Sequence, residues 1–162
     1  MTNEEIPYFE DKKDPMIEGK PIVERNVVHV IVFDKKTQEV LCLDWKKFNW
    51  HMFIVGGIEG DEDPVQSAIR EVAEETGYTN ISFIAQVGKT KSAFYAAHKG
   101  ENRVANATGL LFELIDESKK DVSEEEKEKH TAIWIPKDKV MEFLNADNQF
   151  YIWEKALDVL GR

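Results

Sequence analysis

Cysteine is nearly absent: Cys42 is the only one in 162 residues. That excludes an internal disulfide and points to a reducing, cytoplasmic setting. Cys42 lies in the apolar run VLCLDW and reads as a small buried hydrophobe rather than a nucleophile. Long apolar runs are missing too. None approaches the ~18 residues of a membrane span, and the polar opening MTNEEIPYFE is no signal peptide, so no membrane partner is expected. Basic charge is in short supply: 21 Lys and Arg against 31 Asp and Glu leave a formal net charge of −10. A nucleic-acid duplex or an anionic bilayer calls for the opposite sign. A small anionic substrate stays open, because bound divalent cations invert the local charge.

There is no internal repeat and no Gly/Ser linker, and 42% of the residues are hydrophobic. This predicts a single domain over 1–162, with an irregular lead-in at 1–21 that contains Pro7, Pro15 and Pro21. Val27 to Phe33 is β-branched and mostly apolar and reads as a strand buried on at least one side. DKKTQE turns it back into VLCLDW, a second strand. Residues 53–55 form a short strand ending at Gly56-Gly57, and further strands are expected near 81–88, 92–97, 107–115 and 132–135. The acidic stretch 116–129 reads as a solvated loop or short helix with a cap signal at Ser123 and Glu126. Two helices close the chain. In the second, Phe150, Trp153, Leu157 and Leu160 share a core face. Strands interleaved with a few helices predict an α/β or α+β layered fold around a mixed sheet.

One helix carries stronger signals. Asp63 is a candidate N-cap, Pro64 suits the first turn, Gln66 sits at the capping-box position and Gly77 suits a left-handed C-terminus. Val65, Ala68, Ile69 and Val72 make its apolar stripe. Glu71, Glu74 and Glu75 crowd beside that stripe, and the like-charged Glu71–Glu75 pair, one turn apart, costs about 0.2–0.5 kcal/mol. No lysine intervenes. Oxygen ligation of a hard cation, Mg²⁺ or Mn²⁺, explains the crowding; a solvated acidic face is the other reading of the spacing alone.

The run GGIEGDEDPVQSAIREVAEETGY, residues 56–78, resembles the box of the Nudix hydrolases, G-x5-E-x7-R-E-U-x-E-E-x-G-U with U aliphatic. Gly56, Glu62, Arg70, Glu71, Glu74, Glu75 and Gly77 fill its fixed positions, and Tyr78 replaces the final aliphatic residue. The resemblance implies a Nudix α/β/α sandwich with a mixed β-sheet between helices. It implies hydrolysis of a nucleoside diphosphate linked to another moiety, by water attack at phosphorus with Mg²⁺ or Mn²⁺. Glu74 and Glu75 are then the expected metal ligands, Glu71 a ligand or the base, and the Gly56 carbonyl a further ligand. Arg70 and Glu62 orient the others, while Gly57 and Gly77 shape the loop and the helix end. A non-catalytic nucleotide-binding or regulatory module on the same fold is the competing reading.

Two positions depart from the common family pattern. Val55 stands where proline often precedes the Gly-Gly pair, and Thr131 stands where a glutamate often precedes the late tryptophan, here Trp134. Glu124, Glu125 and Glu126 are candidates to replace that glutamate, against a solvated charge run. Lys46, Lys47, Lys89, Lys91, His98 and Arg103 are candidate phosphate contacts, or ordinary surface charges; Trp45, Trp50 and Phe94 are candidate stacking surfaces, or core. Tyr95, 17 residues beyond Tyr78, occupies a place where tyrosine is associated with dinucleoside polyphosphate hydrolases. No proline, the mark of ADP-ribose hydrolases near there, falls between Pro64 and Pro136. Residues 45–60 and the FYAAHKGENR stretch are also similar, more weakly, to Nudix-like segments inside some bacterial leucyl-tRNA synthetases. Oligomeric state is open, a homodimer included.

Overall fold

The computed structural model describes residues 5–162. Its centre is the strand β2, Ile22–Asp34, where VVHVIVF leaves a row of side chains on each face. Val28, Val30 and Val32 point to one side, and Ile31 and Phe33 to the other, as a period of two requires. Both rows are buried, so both faces need a cover. The helix α1, Pro64–Thr76, covers the first through Ala68 and Val72. The helix α4, Asp147–Leu160, covers the second through Ile152, Trp153 and Ala156. Full burial of such side chains stabilises the fold by about 1.5–3 kcal/mol each. The result is the expected mixed sheet between helices.

The sheet runs β1–β6–β7–β2–β3–β4, with β5 added beside β2 and β8 beside β3. Its strands are β1 Tyr8–Glu10, β3 Glu39–Trp45, β4 His51–Met52, β5 Ile54–Gly57, β6 Ile81–Ala96, β7 Glu101–Leu114 and β8 His130–Pro136. β2 pairs parallel with β7, and antiparallel with β3 and β5. Short helices α2, Glu124–Lys129, and α3, Val140–Phe143, complete the order. Cys42 is fully buried in the α4-side core, and burial pushes its thiol pKa up.

Several expectations are corrected. The lead-in is not wholly irregular, since β1 pairs parallel with β6. The two strands expected at 81–88 and 92–97 are one strand, whose register against β7 shifts between Phe83 and Ala85 and again between Gln86 and Lys89. Gly88, at φ +92°, lies within the second shift. The buried face of α4 is Gln149, Ile152, Trp153 and Ala156, with Phe150, Leu157 and Leu160 packed at its margin. The stretch after Pro136 is a 3₁₀ turn and the four-residue α3 rather than one helix. No helix among the described residues is long and apolar enough to cross a membrane.

Candidate active site

The loop between β5 and α1 is fastened by one guanidinium. Arg70 donates from Nε and Nη2 to Glu62, at 3.2 and 3.0 Å, and from Nη2 to the Gly57 carbonyl at 3.1 Å. Its Nη1 reaches Glu71 Oε1 at 2.9 Å and Glu74 Oε2 at 3.3 Å. Glu62 also accepts from Ser67 Oγ at 2.5 Å. Hydrogen bonds from Arg70 and then Ser67 hold the Glu62 pKa at about 2. Asp63 has extended N-cap geometry but makes no side-chain cap bond, so the expected Asp63–Gln66 capping box is not what starts this helix. Gly77 closes the helix at φ +87°, donating its N–H to the Ala73 carbonyl.

Arg70 divides the three box glutamates. Glu74 is drawn outward, its side chain 46% exposed. Glu71 lies inward at 13% exposure, folded over Gly56: a Cβ there would stand 2.1 Å from its Cδ. Burial raises the Glu71 pKa although Arg70 opposes the shift. The Glu75 carboxylate is enclosed further, and its Oε2 has no hydrogen-bond partner among the described residues. Burial, with Glu71 and Glu126 adding repulsion, pushes its pKa well up.

Opposite Glu75 stand Glu126 of α2 and His130, where α2 gives way to β8. One ligand atom from each of Glu75, Glu126 and His130 lies within 4.8 Å of the others. Glu126 is therefore the one of the three downstream glutamates that faces the box. Glu124 and Glu125 are largely exposed and pair with Lys127 and Lys129. Ser123 caps α2 as expected, accepting from the Glu126 N–H at 3.2 Å. Antiparallel pairing of β3 with β8 sets Trp45 opposite His130, with the rings edge to face at 5.2 Å.

Gly56, Gly57, Glu75, Glu126 and His130 line a cleft of about 470 Å³, whereas Arg70, Glu71 and Glu74 are outside its lining. Trp45, Trp50 and Phe94 supply aromatic wall, and Arg25, Lys99, Arg103 and Lys129 supply cations. Trp45 meets Trp50 edge-on at 5.0 Å. His98 lines the cleft, edge-on to both tryptophans. Desolvation, helped by Arg103 and Lys99, lowers its pKa to about 4, so at neutral pH it offers a neutral ring and not a charge. The floor is polar: buried His29 receives a hydrogen bond from Gln149 Nε2 at 3.3 Å, while Gln149 Oε1 accepts from the Phe53 N–H at 2.8 Å.

Of the candidate substrate contacts, His98 and Arg103 line the cleft, and Lys46, Lys47, Lys89, Lys91 and Tyr95 do not. Phe94 takes the cleft side of β6, and strand alternation turns its neighbour Tyr95 away. Lys47 is exposed in the loop after β3 and outside the cleft lining. His130, His29, Gln149 and Arg25 are cleft residues that the sequence reading missed. A glutamate four residues before a histidine, Glu126 and His130, was the signal available for the first of them.

The family model of the NUDIX domain matches residues 23–154. A search among curated proteins finds no match. Among solved structures, a C. elegans Ap4A hydrolase binary complex superposes with TM-score 0.62 at 17% identity, over 85% of this chain and 98% of that one. A Nudix hydrolase from M. smegmatis, RenU, gives 0.61 at 12%, over 94% of each chain. The NUDIX domain of Shewanella oneidensis NrtR, complexed with ADP ribose, gives 0.59 at 17%, over 85% and 89%. These likenesses show the fold. None of these matches supports the similarity to segments of leucyl-tRNA synthetases.

Proposed function

Because this chain belongs to the Nudix family of pyrophosphohydrolases, we propose that it hydrolyses nucleoside diphosphates linked to a second moiety, using a divalent cation and water attack at phosphorus. The observation that carries the proposal is the enclosed Glu75 Oε2, without a hydrogen-bond partner among the described residues, grouped with Glu126 and His130 in the wall of an aromatic and cationic cleft. An unpaired buried carboxylate is costly, and the donor set fits a divalent cation.

Glu75 and Glu126 would hold that cation, with Glu71 and the Gly56 carbonyl beside them. Mg²⁺ or Mn²⁺ would supply charge neutralisation at phosphorus and a lowered water pKa. Glu71, largely withdrawn from water and held by Arg70, would accept a proton from the attacking water. Arg70 fixes Glu71 and the Gly57 carbonyl together, and so positions without touching substrate. Trp45, Trp50 and Phe94 offer faces for a base. Arg25, Lys99, Arg103 and Lys129 offer charge along a phosphate chain.

Within this class we favour dinucleoside polyphosphates, whose longer anionic chain suits several cations spread along one cleft. The likeness to an Ap4A hydrolase agrees with this choice, whereas Tyr95 no longer supports it. The setting we infer is cytoplasmic, from the single cysteine. A panel of nucleoside diphosphate derivatives, incubated with Mg²⁺ or Mn²⁺ and read as phosphate after a coupled phosphatase, tests the reading. Faster release from a diadenosine polyphosphate than from ADP-ribose is expected. No release from any substrate, with nucleotide binding retained, would convert the chain to a binding module.

A further inference from the structure

His130 is a buried imidazole whose ring packs against Trp45 but whose nitrogens are left unused. Its side chain is 1% exposed, and neither ring nitrogen has a hydrogen-bond partner among the described residues. Leaving a buried polar atom unpaired is expensive. Glu126 Oε2 lies 3.1 Å from His130 Nε2, within ion-pair distance but without a well-formed hydrogen bond. Two groups at this separation that do not bond each other can instead converge on a third. In octahedral coordination with bonds near 2.1 Å, neighbouring ligand atoms stand about 3.0 Å apart and opposite ones about 4.2 Å. Both values lie within the 4.8 Å that encloses the Glu75, Glu126 and His130 atoms.

A plain ion pair would account for Glu126 and His130 alone. It leaves Glu75 Oε2 without a partner on the same side, and it leaves Glu126 shared with Lys129, 3.7 Å from its Oε1. One cation between the three residues would satisfy the orphaned Glu75 oxygen and one of the two orphaned His130 nitrogens together.

We propose that His130 is a direct metal ligand, which makes this a mixed nitrogen–oxygen centre selective for first-row transition cations over Mg²⁺. The inference rests on the metal-dependent reading above and goes beyond it in ligand set and metal preference. Imidazole favours borderline ions such as Co²⁺, Zn²⁺ and, to a smaller degree, Mn²⁺, whereas an all-oxygen site suits Mg²⁺. His130 follows α2 directly and is pinned opposite Trp45 by the β3–β8 ladder. The nitrogen is therefore held by rigid backbone rather than supplied by a mobile loop.

The test uses the full chain stripped of metal. Mg²⁺, Mn²⁺ and Co²⁺ are titrated by calorimetry into wild type and His130→Gln, and electron spin echo of the Mn²⁺-loaded wild type is searched for ¹⁴N coupling. Expected are at least tenfold tighter binding of Co²⁺ than Mg²⁺, collapse of that ratio in His130→Gln with Mg²⁺ affinity changed less than about threefold, and nitrogen coupling in the wild type. Mn²⁺ bound without nitrogen coupling, or a selectivity ratio unchanged in the variant, overturns His130 as ligand and leaves the proposed hydrolase intact. Failure of all three ions to bind overturns both. The spin-echo measurement decides the point even if the variant does not fold.

Discussion

Gly56 and Glu71 share one volume: a Cβ on residue 56 would stand 2.1 Å from both Cγ and Cδ of Glu71. The requirement for glycine here is set by the neighbouring helix rather than by backbone angle. The absent side chain is what lets α1 bring a carboxylate down onto the β5 end. Gly56→Ala should therefore displace Glu71, cost about 1–3 kcal/mol of stability as overpacking does, and cut kcat. Melting curves of Gly56→Ala, Glu71→Ala and the double variant check this. The double variant should be more stable than the two single losses predict when added, and strict additivity would refute the shared-volume account.

Glu74 and Glu75, adjacent in sequence, should behave differently. Glu75 carries a raised pKa through burial and then the charges of Glu71 and Glu126. A carboxyl whose native pKa exceeds its unfolded value of about 4.5 weakens the fold as pH rises through the native pKa. Metal-free Glu75→Gln at pH 7.5 should accordingly melt higher than wild type, by about 2–4 °C for each kcal/mol relieved. It should also lose most of the stabilisation that Mg²⁺ or Mn²⁺ gives the wild type, which is about 2.7 kcal/mol at 100 times the dissociation constant. Glu74→Gln removes an exposed partner of Arg70 and should retain at least tenfold more kcat than Glu75→Gln. Matched NaCl is the control, since screening does not coordinate; equal shifts from NaCl and MgCl₂ would count against a cation site.

Acid should loosen the fold through His29. Burial lowers its pKa to about 4, against the ordinary value near 6.5. Between those values the unfolded chain binds a proton that the native chain refuses, so stability rises with pH and drains away as pH falls below about 6.5. At pH 4.5 the loss approaches about 2–3 kcal/mol. His98 acts in the same direction, so the useful quantity is the difference between wild type and His29→Gln. The variant should show a flatter melting temperature from pH 6.5 to 4.5, and parallel curves would mean that His29 titrates alike in both states.

Phe94 and Tyr95 allow a test within one dipeptide. Phe94 lines the cleft and Tyr95 does not. Phe94→Ala should reduce kcat/KM for a dinucleoside polyphosphate by about 1–3 kcal/mol, the range for a base–aromatic stack. Tyr95→Ala should leave substrate selectivity unchanged. The opposite pattern, measured on a diadenosine polyphosphate and ADP-ribose, would return the stacking role to Tyr95.

Local signals and non-local geometry account for what was legible in advance. Helix α1 announced itself because Pro64, the apolar stripe and Gly77 each act within one or two turns. Burial of β2 on at least one side followed from six apolar residues around His29, and its second cover shows only in the fold, where α4 packs on Ile31 and Phe33. Tyr95 departs from its expected role because a fixed distance beyond the box does not say which face of the strand a residue takes, and here Phe94 has the cleft side. Glu126 and His130 reach Glu75 only through the β3–β8 ladder, a pairing between segments some 90 residues apart. Tyr78, the departure inside the box, proves structural: its hydroxyl accepts from Trp134 Nε1 at 2.8 Å, with the rings edge to face at 5.4 Å.

The parallel ladder between β2 and β7 joins residues 80 apart at every step, from Ile22 with Asn102 to Phe33 with Glu113. The middle of the sheet therefore closes only after α1 and β6 have been made and threaded between its two strands. During synthesis, the apolar row Val28 to Phe33 must wait with one edge unpaired until residue 113 has left the ribosome. Such long-range closure slows folding, and an unpaired apolar edge invites association with other chains. The strand at the centre of the finished core is thus the nascent chain's most exposed aggregation hazard, and the one on which chaperone demand would fall.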